Sequence, residues 1–259
     1  MLALGFLLVT IRAGAQGPGN GFLLSGEVVY QEMVKMDIQL EGIDPQIAEQ
    51  IPRERKSEKV LRFTEEEAMF ENHETEDPAD SMPMEGSGIM IRVQQPDNKL
   101  YMDLKNKKAI EQKEFMSRVF LIESELETRT WKISGHQRKI LDHACQEAIT
   151  LVDGKEVHAW FTPEIGVPVG PGKYSGLPGL VLAVEMNGGD RKLEATGIEF
   201  KPLEKGALKK PTKGKKVTRD EYLAIVEEKM KEMEAGGEGS WHGSGGGENT
   251  STVVIRIQQ

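Results

Sequence analysis

Ala144–Cys145–Gln146–Glu147–Ala148–Ile149–Thr150–Leu151–Val152, then Asp153–Gly154, then Glu156–Val157–His158–Ala159–Trp160–Phe161–Thr162, reads as a tight β-hairpin. Asp-Gly supplies the two positive-φ residues that a two-residue turn of matching twist needs. On the second arm Val157, Ala159 and Phe161 share one face, and His158 and Trp160 the other. Downstream, Leu180–Val181–Leu182–Ala183–Val184 is a continuous apolar run within Gly179 to Met186, the pattern of a strand covered on both faces. Asn187–Gly188–Gly189–Asp190 turns the chain into Lys192–Phe200, whose apolar phase slips near Gly197, the mark of a bulge. Upstream lie short strands at Phe115–Ile122, Thr130–Ile133 and Lys139–Leu141. Ile89–Val93, a Pro96–Asn98 turn and the alternating Leu100, Met102 and Leu104 read as a second hairpin. Gly26–Leu40 and Lys59–Asn72 have strand composition, and acidic His73–Gly88 reads as a loop. Ile43–Arg55, bracketed by Pro45 and Pro52, holds at most two helical turns.

A capping box at Thr218 and Glu221 starts a helix whose stripe is Tyr222, Ile225, Val226, Met230 and Met233, ended by Gly236–Gly237. Short strands without alternating helices predict a mainly β fold. The expected architecture is a single large curved antiparallel sheet or half-barrel with one or two short α-helices. Residues 17–235 form this domain, 236–252 a Gly/Ser-rich linker, and 253–259 a C-terminal strand that needs a sheet edge to pair with.

The N-terminus reads as an export signal spanning residues 1–16. Leu2–Ile11 is an apolar run of h-region length, and Ala13–Gly14–Ala15 is a small-residue cleavage site before Gln16. Ten apolar residues are too few to cross a bilayer, and no transmembrane segment is expected elsewhere. No Cys follows the signal, so a lipoprotein anchor is not expected. The expected location is the periplasm or the outer membrane. A net charge of −9 argues against nucleic acid as a partner, since phosphate binding needs clustered cations. The local run Lys209, Lys210, Lys213, Lys215 and Lys216 is interleaved with Gly and Pro and reads as a solvated connection.

Beyond the hairpin, Pro163, Pro168 and Pro171 fix φ, while Gly166, Gly170, Gly172, Gly176 and Gly179 permit conformations that other residues resist. With Leu177, Pro178 and Leu180 they specify a tight, ordered connection, over which Trp160 and Tyr174 can pack with their polar atoms on loop carbonyls. A phosphate-binding loop would need Gly and Ser or Thr where Val167 and Tyr174 stand. Cys145 is the single cysteine, and His143 lies two residues before it on the same strand face. With His158 across the hairpin these three allow a thiolate–imidazole pair, hence a hydrolase using Cys145. With His136 they form a candidate copper or zinc site, sharpened towards copper by Met82–Pro83–Met84 and 12 Met in all. Neither carries a specific spacing. The runs Glu65–Glu66–Glu67 and Glu74, Glu76, Asp77 read as solvated faces.

Trp160–Phe161–Thr162–Pro163–Glu164–Ile165, Gly170–Pro171 and Tyr174–Ser175–Gly176–Leu177–Pro178–Gly179–Leu180 closely resemble the signature block of the GLPGLI family, exported proteins of Bacteroidetes-type bacteria. The resemblance extends in order over most of Gly26 to Phe200, including Gly26–Glu27–Val28–Val29–Tyr30, Trp131–Lys132–Ile133, Ala144–Cys145–Gln146–Glu147–Ala148 and Glu194–Ala195–Thr196–Gly197–Ile198–Glu199–Phe200. It departs at Asp142–His143, where the family usually has Gly–Tyr, and mildly at Leu180–Val181. It implies export and a β-rich fold and transfers no catalytic residue. The expectation is a non-enzymatic binding module for an apolar, lipid-like ligand or an envelope partner, with a periplasmic copper or zinc protein as the alternative.

Overall fold

The structure, a computed structural model, describes residues 24–35, 53–73, 81–84, 89–204, 206–235 and 251–256. The signal segment, the proposed turns between Pro45 and Pro52, and most of the Gly/Ser-rich linker lie outside the described residues. In chain order the strands are β1 (Gly26–Lys35), β2 (Glu54–Phe63), β3 (Glu67–Asn72), β4 (Ser81–Met84), β5 (Ile89–Gln94), β6 (Lys99–Asp103), β7 (Lys108–Phe115) and β8 (Arg118–Glu125). There follow β9 (Lys132–Ile140), β10 (His143–Val152), β11 (Lys155–Thr162), β12 (Leu180–Met186), β13 (Arg191–Phe200) and β14 (Lys215–Val217). The helix α1 (Arg219–Ala235) and β15 (Ser251–Arg256) close the chain.

Twelve strands form one open sheet in the order β14-β8-β7-β6-β3-β2-β1-β13-β12-β11-β10-β9. It is antiparallel except where β14 joins β8 in parallel, so it is mixed only at that edge. The hairpin at Asp153–Gly154 forms with φ of 51° and 76°, and Ala148 pairs with Ala159. Leu180 to Val184 are all buried, as the continuous apolar run predicts. The phase slip near Gly197 is a bulge: the register passes from Val29↔Gly197 to Tyr30↔Ala195, and the skipped Thr196 donates its hydroxyl to the Val29 carbonyl. Two further irregularities, at Trp160/Phe161 and opposite Glu147, fall on neighbouring strands and bend the same half of the sheet.

Several expected boundaries move. Lys59–Asn72 is two strands, because Thr64 caps a turn there by accepting from the Glu66 and Glu67 amides. Phe115–Ile122 likewise contains a turn, with Met116 and Ser117 at φ of 49° and 61° and no Gly to signal it. The hairpin expected from Ile89 to Leu104 does not form. β6 pairs with β3 and β7 in the large sheet, whereas β5 pairs with β4 and β15 in a separate three-stranded sheet. β4 lies within the segment read as a loop, since Met82, Pro83 and Met84 pair with Ile91, Met90 and Ile89 in a register that no local pattern encodes. The C-terminal strand does take a sheet edge, running parallel to β5.

The core lies on the inward face, where Val28, Tyr30, Leu61, Phe63 and Met102 are fully buried. Ile165, Val167 and Val169 of the Pro/Gly connection pack into the same cluster. Each large apolar side chain so buried stabilises by about 1.5–3 kcal/mol. A second cluster, containing Ala159, Val184 and Leu177, continues this core along β10–β12, where Ala159 pairs with Val184 and Val184 with Leu193. α1 starts with the capping box, in which the Glu221 amide donates to Thr218 Oγ1 and the Thr218 amide to Glu221 Oε2 at 2.7 Å. Its first turns dock Tyr222 edge-on against Phe120, with Ile225 and Val226 beside it, while Met230 is exposed.

Candidate functional site

The segment 163–179 leaves β11 and returns as β12, laid over the inward face of the sheet. Its backbone is tied to itself and to β12: the Leu180 amide donates to Ile165 O, the Val181 amide to Val169 O, and the Gly176 amide to Pro168 O. Gly179, at φ of 157°, passes so close to Thr162 that a Cβ would sit 2.0 Å from its carbonyl oxygen. Gly170 is packed as closely, with a Cβ meeting the Tyr174 carbonyl oxygen at 2.4 Å. These glycines are required by close backbone approach. The strap therefore occupies the apolar concavity with its own side chains. Trp160 and Tyr174 do not bind loop carbonyls. Trp160 lies under the Arg138 guanidinium, and the Tyr174 hydroxyl meets Met186 Sδ at 2.9 Å. That task falls to Trp131, whose Nε1 donates to the Ser175 carbonyl.

The histidine and cysteine candidates are dispersed. Cys145 is buried, and its thiol points back to the His143 carbonyl at 3.6 Å. Burial pushes its pKa up to about 11, against weaker help from the Ile140 backbone. At neutral pH almost none of it is thiolate, the form that attacks or ligates. His143 turns instead to Glu164 Oε2 at 2.7 Å, and Oε1 of that carboxylate accepts from the Ala144 amide. His158 pairs with Ile149, four positions from Cys145 along β10, a separation of about 13 Å at ~3.3 Å per residue. The thiolate–imidazole pair is thus not formed. Among the described residues no three His, Cys, Asp or Glu side chains converge as a metal site.

His158 and His136 meet at Glu147, which the sequence reading passed over. The Glu147 carboxylate accepts from His158 Nδ1 and His136 Nδ1, each at 2.8 Å, and from Ser134 Oγ at 2.5 Å. Burial works to raise its pKa, but the bonds from Ser134, His158 and His136 outweigh this and hold it at about 2. Ser134, Gly135 and His136 are the surplus residues opposite Glu147, so the carboxylate pins a wide bulge in edge strand β9.

A larger charged assembly lines the mouth of the concave face. Glu111 on β7 accepts from Lys173 of the strap at 2.8 Å and from Arg219 at the start of α1 at 2.7 Å. Glu127 accepts from Arg219 at 2.9 Å and from Arg129 at 2.6 Å, and Arg129 stacks over Tyr174. Across the face, buried Glu32 is held by Arg191 at 2.5 Å and Lys59 at 3.3 Å. Burial raises the Glu32 pKa and those two cations pull it down, leaving it below the ordinary carboxylate value. Lys113 sits between the two groups. Burial lowers its pKa first, Glu111 opposes, and Lys173, Arg191 and Arg219 lower it further. β7 and β13 are five strands apart, about 24 Å in a flat sheet at ~4.8 Å per strand. The curvature of the sheet brings the inward side chains of these strands nearer than that. The signal for these residues was charge at inward positions: Ala109, Glu111, Lys113 and Phe115 share one face of β7.

Fold and site together define a mainly β protein built on one large open curved sheet, with a rigid internal strap and a charged mouth. Residues 102–183 match the family described as "Protein of unknown function (Porph_ging)", a region that includes β7 to β11 and the strap. Solved structures of PNGF-II in the P21 and C2 space groups are similar at a TM-score of 0.53, with 16% and 17% sequence identity. They cover 78% of this chain, which spans 33% and 32% of theirs, and at that identity the likeness is one of fold. No curated protein matches the sequence.

Proposed function

We propose that this chain is a GLPGLI-type protein exported to the periplasm or outer membrane, where it acts as a binding module rather than an enzyme. One observation carries the reading. The signature segment builds a rigid strap that fills the apolar concavity and holds Lys173 and Tyr174 at a polar, partly open mouth, pinned by Trp131, Arg129 and Glu111. A filled interior leaves the mouth, rather than an apolar chamber, as the surface for a ligand or envelope partner. The buried, protonated Cys145 thiol supports neither a nucleophile nor a soft-metal site. Native mass spectrometry of protein purified from its own envelope, with metal analysis on the same sample, tests this. A co-purifying ligand or protein is expected. Stoichiometric metal that disappears in Cys145→Ser would overturn the reading. N-terminal sequencing is expected to find a mature start near Gln16, and a full-length cytoplasmic product would remove the export half of the proposal.

A further inference from the structure

Six cations, Lys59, Lys113, Arg129, Lys173, Arg191 and Arg219, surround three carboxylates, Glu32, Glu111 and Glu127, at the concave mouth. The surplus is local, because the chain as a whole carries −9. Five of the six are in ion pairs. Lys113 is the exception: among the described residues its ammonium makes no ion pair and no hydrogen bond, and its one contact is the Tyr222 ring at 5.9 Å. It stands on the inward face of β7, two residues from Glu111, whose Oε1 already accepts from both Lys173 and Arg219. A half-buried ammonium among other cations is costly unless a counter-charge arrives, since withdrawing an ion from water without a partner costs several kcal/mol. Lys173, Arg191 and Arg219 remain partly exposed at 26%, 32% and 37%, so the cluster is open to solvent on one side.

We propose that the mouth binds an oxyanion, a phosphate group carried by the ligand, on the Lys113 ammonium with Lys173, Arg191 and Arg219 around it. The guanidiniums offer planar donor forks suited to phosphate oxygens and the lysines offer point charges. This rests on the binding-module reading and gives that module its ligand chemistry. Glu32, Glu111 and Glu127 hold the cations in place and leave a net positive charge for the ligand to neutralise. Asp153 and exposed Glu125, at the margin, favour a single anionic group over a polyanion.

The test uses the full mature chain. Inorganic phosphate, titrated at constant ionic strength against chloride, is expected to raise the melting temperature saturably. Lys113→Met keeps the side-chain length and removes the charge. It is expected to fold, to be at least as stable without phosphate, and to weaken phosphate binding tenfold or more. Lys113→Arg is expected to retain binding, and Lys213→Gln, on the solvated connection, to behave as the parent. Flotation with phosphatidylglycerol against phosphatidylcholine vesicles separates the sources. Lys113-dependent binding to the former identifies a lipid headgroup, and phosphate binding without it identifies a soluble phosphorylated ligand. If phosphate has no effect beyond chloride and neither vesicle binds, or if Lys113→Met binds as the parent does, the anion site is refuted. A partner still found by native mass spectrometry would then leave the binding module intact without this site.

Discussion

Gly176 and Gly179 separate two reasons for a glycine. Gly176 has φ of 86° with open space where a Cβ would go, so Gly176→Ala costs only backbone strain, about 1–2 kcal/mol. Gly179 adds a collision with the Thr162 carbonyl, and Gly179→Ala is expected to cost about 3–4 kcal/mol. Urea midpoints of the two variants check this, and equal losses would mean that the close approach at Thr162 does not exist. Glu147 makes a pH prediction. A carboxyl held at about 2 against an ordinary 4.5 contributes stability that is fully present above 4.5 and is lost as pH falls towards 2. Between pH 6 and pH 3 the parent should lose about 2 kcal/mol more than Glu147→Gln. Parallel acid titrations of the two would contradict the network. None of this was visible in the sequence, where Glu147 is one polar residue in an alternating strand. Its partners Ser134 and His136 reach it only because β9 bulges.

Elements with a local code were legible before the structure. Asp153–Gly154, the capping box at Thr218, and the unbroken run in β12 each specify their conformation through neighbours in sequence. The Met116–Ser117 turn was not legible, because its positive φ values fall on residues that do not advertise them. That mismatch is also a prediction. Replacing the pair by Asn–Gly, the sequence such a turn prefers, should stabilise the protein by about 1 kcal/mol, read as a shift in urea midpoint. A destabilised variant would show that Met116, which packs beside Phe115 and Phe120, contributes more than its backbone costs. The separation of β5 from β6 was equally hidden. Alternation shows that a segment is a strand, and its partner depends on edges formed elsewhere.

At the scale of the molecule, β1, β2 and β3 sit in the middle of the large sheet, between β13 on one side and β6 on the other. Cutting the chain near Pro83 would therefore leave each piece with unpaired central strands. Neither fragment should fold alone, and mixing the two should restore β circular dichroism in a cooperative transition. Independent folding of either piece would show that the sheet is two domains placed side by side. A mainly β architecture followed from the strand spacing, but the charged mouth did not. It joins β1, β2, β7, β13, the strap and α1, and only the curvature of the sheet brings them within reach.

The pairing of Gly26–Val34 with residues 191–200 also sets a clock. At ~5–20 residues per second, a ribosome needs about 8–35 s to pass from the first strand to its partner. Throughout that interval β1 is paired on its β2 side alone, so it stands as the open edge of the block β8-β7-β6-β3-β2-β1. A nascent chain of this kind carries an unpaired strand edge until β13 emerges, which obliges something to shield that edge meanwhile.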